Sequence, residues 1–343
     1  MIRRILLSAL LLALASPALA AAGDKPLFES TDLLRLTIDG PISTIARNRA
    51  EDPRPATITV AGASQPLPVT LSTRGITRKA GDICQFPPLK VRFSGRPAEG
   101  SVFAGQKSLK LVTHCRNSDA FQQYVLLEYA AYRMFNILSP ASFRVRLAQI
   151  DYVDGGKTVA SRYGFFIEDL GDVARRNAMQ EGKLPAMIPI NSLSPRHAAL
   201  YAMFQHMIAN HDWSMRAGPA GENCCHNAKM ITPARGVPAG AIPIPYDFDF
   251  SGFVNAPYAT PPDELHLGSV RQRQYRGYCM HNGEAYAVAV QMRAARPQLI
   301  GAISSTPGID PKTVSRATAF LDSFFVDIAS NDIVKAKVLK SCL

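Results

Sequence analysis

The stretch that decides the fold runs from Asn210 to Phe253 and contains Asn210-His211-Asp212-Trp213 (NHDW), then CHNAKMI at 225–231, then IPIPYDFDFSGF at 242–253. Asp212, Asn227, Asp247 and Asp249 stand there as isolated polar residues beside strongly apolar segments. The pattern reads as an acid ending a helix, an Asn opening a strand, and an acidic pair closing the next strand. Phosphoryl transfer of the kinase type needs that layout: one carboxylate orients the attacking hydroxyl, while an Asn and a second Asp hold a divalent metal against the phosphates.

Upstream of this stretch, Leu200, Met203, Phe204, Met207 and Ile208 form a helical apolar stripe that runs into Asn210. Further helices are expected over 284–302 and 311–329. The first half reads differently. Short apolar runs at 33–38, 56–60, 68–72, 89–93 and 108–112 are divided by Gly, Pro, Asp and Asn, and predict strands. Leu89, Val91 and Phe93 alternate with Lys90 and Arg92, so one sheet face is apolar and the other carries cations. A helix over 119–138 follows, with Glu128 on the shoulder of its apolar face. Two long strands, 143–153 and 159–168, are joined by a turn at Asp154-Gly155-Gly156. The expectation is an α+β, bilobal, protein-kinase-like architecture, with a strand-rich N-lobe (21–170) and a mainly helical C-lobe (171–343) around a cleft.

Residues 1–20 read as a signal peptide: Arg3 and Arg4, an apolar run over 5–15, and the small-residue site Ala18-Leu19-Ala20. The apolar run is shorter than the roughly 20 residues a membrane span requires, so no transmembrane anchor is expected after cleavage. The mature chain is expected to be secreted or periplasmic. Six cysteines suit an oxidising compartment. Cys84 and Cys115 flank the strands at 89–93 and 108–112, and an antiparallel hairpin would bring them together. Cys224 and Cys225 are expected to pair with Cys279 and Cys342, in an order left open. The spacing of Cys224, Cys225 and His226 matches no common zinc finger.

The formal charge of +11 becomes +9 once Arg3 and Arg4 leave, a balance that suits acidic ligands. Basic residues are scattered and lack interleaved aromatics, so no nucleic-acid partner is expected. Asp247 and Asp249 alternate with aromatics, which would put two like charges on one strand face. They repel unless a cation sits between them. Glu128, set beside an apolar stripe, likewise calls for a cationic partner. His211 and His226 are read as structural or hydrogen-bonding groups. With no His-rich ligand set, a metal-dependent hydrolase is the weaker reading of the acidic cluster.

Over roughly residues 70–256 the chain resembles the CotH kinase-like family, and more distantly the HipA-type atypical kinases. The resemblance rests on ordered motifs: Arg74-Gly75, PPLKVRF (87–93), FAGQKSLKL (103–111), the helix with Glu128, GFFIED (164–169), NHDW, CHN and PYDFDF (245–250). It implies ATP with Mg2+ or Mn2+ as cofactors and a protein or small-molecule hydroxyl acceptor. By the same resemblance Asp212 is the catalytic-loop acid, and Asn227, Asp247 and Asp249 form the metal site. Lys90 becomes the lysine on the phosphates, with Glu128 as its partner and Lys110 as its competitor. No G-x-G-x-x-G loop is present, so Arg74 and the segment 73–81 would cover the phosphates. Fifteen positions separate Asp212 from Asn227, more than the compact loop of ordinary protein kinases. The alternative within the same fold is a non-catalytic binding or envelope-assembly protein.

Overall fold

The computed structural model describes residues 25–49 and 51–343, and the expected signal peptide lies outside these residues. Among the described residues, seven strands close into a barrel in the order β1-β2-β3-β4-β5-β7-β6. They are β1 (Leu34–Asp39), β2 (Arg54–Val60), β3 (Leu67–Thr73), β4 (Leu89–Phe93), β5 (Ser108–Val112), β6 (Val145–Asp154) and β7 (Lys157–Ile167). All neighbours pair antiparallel except β1 and β6, whose parallel pairing closes the ring. Residues from alternate positions fill the interior, among them Leu36, Ile58, Leu71, Val91, Leu111 and Phe166. β4 shows the rule plainly: Leu89, Val91 and Phe93 are buried, and Lys90 and Arg92 are exposed. Gly155 and Gly156, at φ 57° and 78°, make the tight turn of the β6–β7 hairpin, which requires positive φ at both positions. Gly164 is required for a different reason, since a Cβ there would lie 2.6 Å from the Val112 carbonyl oxygen where β7 pairs antiparallel with β5.

A short helix, α1 (Ile42–Asn48), follows β1, and the long α2 (Asp119–Leu138) sits between β5 and β6. Ser118 caps α2 by accepting from the Phe121 amide at 3.4 Å, and Asp119 complements the positive end of the helix dipole. α2 joins the second core, which it shares with α4 (Pro195–Met207), α5 (Asn282–Ser304) and α6 (Pro311–Asp327). α6 begins at a strong stop-start signal, with Asp310 as cap and Pro311 in the first turn. α3 (Leu170–Arg176) links the halves, α7 (Asn331–Ile333) lies near the end, and β8 (Gln180–Glu181), β9 (Ala228–Thr232) and β10 (Ile242–Pro245) form a small sheet in the order β10-β9-β8. The molecule is thus α+β, with a strand-rich first half and a helix-rich second half. No helix among the described residues is long and apolar enough to cross a membrane.

Cys84 bonds Cys115, as the strand placement predicts. The other four cysteines correct the expectation: Cys224 bonds Cys225, and Cys279 bonds Cys342. The second pairing follows from the chain terminus. The Leu343 amide donates to Gly277 O at 2.8 Å and Cys279 donates back to Leu343 O at 2.9 Å, which sets the two cysteine backbones side by side.

Candidate functional site

Two segments meet to build the site. The chain leaving α4 turns at Ala209, and the Gly252 and Phe253 amides donate to the Ala209 and Ile208 carbonyls, each at 2.9 Å. The loop with Asp212 therefore lies against the turn with Asp247 and Asp249. Contrary to the strand-end expectation, β10 stops at Pro245, so neither carboxylate is on a strand. Asp247 takes φ 63° and its amide donates to Tyr132 Oη at 2.9 Å. Nor does Asp212 end a helix, because α4 finishes at Met207.

The long interval after Asp212 folds back on itself. Ser214 N donates to His226 O at 2.9 Å and His226 N donates to Ala217 O at 3.0 Å, which returns the chain to its start. Asn227 then reaches Asp212 with its side-chain amide, 2.7 Å to the main-chain oxygen and 2.9 Å to Oδ2. His226 Nε2 lies 2.6 Å from Asp212 Oδ1. This hydrogen bond, strengthened by the carboxylate charge, raises the His226 pKa. Asn227 itself is held at φ 47°. Non-glycine residues with positive φ are uncommon, and having two of them in one site marks backbone shaped around its side chains.

Asp247, Asp249 and Glu128 converge. Their carboxylate oxygens lie within 4.8 Å of one another, a grouping able to hold a cation. Glu128 and Asp249 are buried, whereas the Asp247 side chain is 42% exposed. A cation already sits among them: the buried guanidinium of Arg78. Its Nη1 is 3.0 Å from Glu128, its Nη2 is 3.3 Å from Asp247, and its Nε is 3.1 Å from Asp249. Tyr258 Oη donates a further bond to Asp249 at 3.1 Å. The partner of Glu128 is thus Arg78, in place of the Lys90 that the resemblance implies. Burial opposes the Arg78 charge, but Asp249 and Glu128 outweigh it and hold its pKa above the ordinary range. One guanidinium does not balance three carboxylates. Burial, with Asp249 and Asp247 adding to it, lifts Glu128 to about 8 against the pull of Arg78. Asp249 rises to about 6, again chiefly through burial.

Arg78 comes from the segment between β3 and β4, which is tied down along its length. Arg49 Nη1 donates to Lys79 O at 3.0 Å and Cys84 O at 2.7 Å. Arg116 Nε donates to Ile83 O at 2.9 Å, and the Cys84–Cys115 bond fixes the far end. In the sequence Arg78 is one of many scattered cations and one of the basic residues of the 73–81 segment expected over the phosphates, whereas it turns into the acidic cluster. The signal that could have found it is the unanswered demand of Glu128 for a positive partner.

The opposite wall is basic. Lys110 is half-buried, with Nζ 5.9 Å from the Tyr246 ring centroid, and Lys229 approaches the same ring at 5.3 Å. Burial, then the charges of Arg74 and Lys229, lower the Lys110 pKa to about 8. Lys90 is exposed and lies directly across from Lys110 in the β4–β5 register. Arg74, Arg78, Asp212, Asn227, Lys229 and Asp247 line one cleft of about 270 Å³. Of the sequence-predicted residues, Arg74, Asp212, Asn227, Asp247 and Asp249 share that cleft. Glu128 lies behind it, Lys110 beside it, and Lys90 outside it in the adjoining cavity. The chain matches no protein-family model and no curated protein. Function must be read from these residues.

Proposed function

We propose that this chain is an exported, CotH-like atypical kinase with a bilobal kinase-like arrangement, which transfers the γ-phosphoryl group of ATP to a hydroxyl acceptor. The observation that carries the reading is the convergence of Asp212, Asn227 and Asp247 on one cleft that Arg74 and Lys229 also line, with Lys110 beside it. Like charges crowded onto a half-buried wall favour an anion between them, and a triphosphate is such an anion. The three disulfides fit an oxidising compartment.

The residues also fit a divalent cation. Three carboxylates against one guanidinium leave negative charge unbalanced, and Asp247 is the member open to the cleft. Asp247 and the Asn227 carbonyl oxygen would hold Mg2+ or Mn2+, with Asp249 kept in place behind them by Arg78 and Tyr258. Bound there, the metal would neutralise charge on the phosphate oxygens. Asp212 has both carboxylate oxygens engaged by His226 and Asn227, yet each oxygen keeps a lone pair for an acceptor hydroxyl. Its task is to orient that hydroxyl and take its proton, while Lys110 and Arg74 receive the phosphates. Catalysis of this kind is mostly positioning and charge neutralisation.

A second reading has its own observation. Arg78 already supplies a positive charge within 3.3 Å of Asp247, as it would in a kinase-fold protein that binds without turning over. The test separates the two. Purified mature protein is melted with ATP and Mn2+, and assayed with labelled ATP. The kinase reading expects metal-dependent stabilisation by nucleotide, loss of that stabilisation in Asp247→Asn, and label transferred to protein. Nucleotide binding without transfer to any acceptor supports the binding protein. Absence of nucleotide binding, with or without metal, removes the kinase reading.

A further inference from the structure

Lys90 and Arg92 do not line the cleft, yet they belong to a continuous basic surface. The cavity beside the cleft, about 380 Å³, shares Arg74 with it and adds Lys90 and Arg92. A third and larger cavity, about 750 Å³, shares Arg92 and adds Arg96 and Lys107. The three cavities are thus joined at Arg74 and at Arg92: the cleft beyond the end of β3, the middle cavity on the outer face of β3 and β4, and the far one over the connection between β4 and β5. The strand register explains the alignment, because Ser72, Lys90 and Lys110 lie abreast, as do Thr70, Arg92 and Ser108. Side chains paired across antiparallel strands share a face.

This surface is costly for the protein alone. Lys90 directly opposite Lys110 is a like-charge pair, which disfavours the sheet when no anion lies between. Among the described residues, Arg74, Lys90, Arg92, Arg96 and Lys107 form no ion pair with a carboxylate. Two acids border the track. Glu51 is taken by Lys79 at 2.6 Å, and Glu99 stands on the far cavity. Gln106, buried in the wall of that cavity, has an amide nitrogen without a hydrogen-bond partner.

We infer that this track binds an extended acidic polypeptide segment and leads it to the cleft. Nucleic acid fits less well. Among the described residues, the only aromatic lining the two outer cavities is Phe93, which is buried, so bases would find no stacking platform. The polar groups of the lining are mainly cationic ends and hydroxyls (Thr70, Ser72, Ser108), which suit carboxylates spaced along a chain, and the far cavity adds an apolar floor of Phe93, Pro97 and Ala104. The role as acceptor rests on the phosphotransferase reading: a Ser or Thr hydroxyl of the segment would give its proton to Asp212, its oxygen would take the γ-phosphoryl group, and nucleoside diphosphate would leave.

The experiment uses the mature protein without nucleotide. A short fluorescein-labelled peptide of glutamates around one serine is titrated at low salt and followed by anisotropy, with a glutamine version as control. Binding of the glutamate peptide alone, weakening with salt, is expected. The variant Arg92→Ala/Arg96→Ala/Lys107→Ala, all exposed positions outside the cleft, should bind roughly tenfold more weakly, as expected for three exposed charge contacts. If that variant does not fold, the single reversal Arg92→Glu serves in its place. No binding by the wild type, equal binding by the variant, or tighter binding of oligothymidylate than of the peptide overturns the inference. Nucleotide stabilisation is measured in parallel. Peptide binding lost with nucleotide binding kept sinks only the track, and the reverse result sinks only the kinase.

Discussion

Removing the guanidinium at the centre of the acidic cluster gives the most demanding test of how this site is built. Arg78→Met keeps much of the side-chain volume but leaves Glu128, Asp247 and Asp249 facing one another with no positive charge between them. Breaking a buried ion pair by deleting one partner costs about 3–5 kcal/mol. In a chain of this size that is a fall of about 4–7 °C in melting temperature. The pH dependence carries more information than the magnitude. Glu128 and Asp249 are raised above their unfolded values, to about 8 and about 6, so the native state binds more protons than the unfolded chain. Carboxyls raised in this way contribute stability below their unfolded pKa, near 4, and that contribution fades as pH rises through their folded values. Without Arg78 the folded values rise further, because the pull of its charge is gone. The variant's deficit should therefore be small near pH 5 and grow toward pH 8. Thermal melts of both proteins across that range, monitored by circular dichroism, provide the measurement. A deficit that is flat with pH, or larger in acid, would falsify the account of Arg78 as the counter-charge.

Asp212→Asn should lower turnover by about 10²-fold or more, the scale for losing a positioned base, with nucleotide affinity nearly unchanged. Its stability signature runs through His226, whose raised pKa depends first on Asp212. That contribution is present below the unfolded histidine value near 6.5 and lost as pH rises through the folded one, so the variant's cost should appear in acid and vanish once pH exceeds the raised folded value. An NMR titration should show the His226 pKa moving down, and an unmoved titration would break the link. The double variant Cys84→Ser/Cys115→Ser frees the end of the segment carrying Arg78. It should lose about 2–4 kcal/mol in denaturant unfolding and weaken Mn2+ binding as well, whereas normal metal affinity would show that the tie does not position Arg78.

Local order was legible in the sequence wherever one segment carried its own reason to fold. The alternation in β4, the two glycines between β6 and β7, and the stripe of α2 each depend on near neighbours. The Cys84–Cys115 bond followed from two adjacent strands. What escaped reading depends on contacts far apart in the chain. Barrel closure rests on the parallel pairing of β1 with β6, which no local pattern announces. The sequence points Cys224 and Cys225 to distant partners, whereas they bond each other and Cys342 bonds Cys279. Asp247 and Asp249 alternate with aromatics as strand residues do, but the strand has ended before them, and Asp247 is turned by tertiary contacts that include Tyr132. The candidate residues themselves were found by chemistry, and their partners were not.

Arg78 shows why the partners matter. The physical requirement was stated twice in the sequence, once by the acidic pair and once by Glu128, as two demands for a cation that a single side chain meets. Because Arg78 is carried on a segment of the barrel and its acids come from α2 and from the helix-rich half, the ion network spans both halves of the molecule. The carboxylate most exposed to the cleft, Asp247, is also the one that Arg78 touches at the longest of the three ion-pair distances, 3.3 Å. That asymmetry divides the labour. Glu128 and Asp249 hold Arg78, Arg78 limits where Asp247 can point, and Asp247 keeps an open face toward Asn227 and the basic wall. On this account Arg78→Lys, which keeps the charge but has no planar fork to span three acids, should retain most of the stability of the wild type at pH 8 and yet lose metal-dependent nucleotide binding. If Arg78→Lys keeps both, the geometry of the fork is irrelevant and only its charge counts.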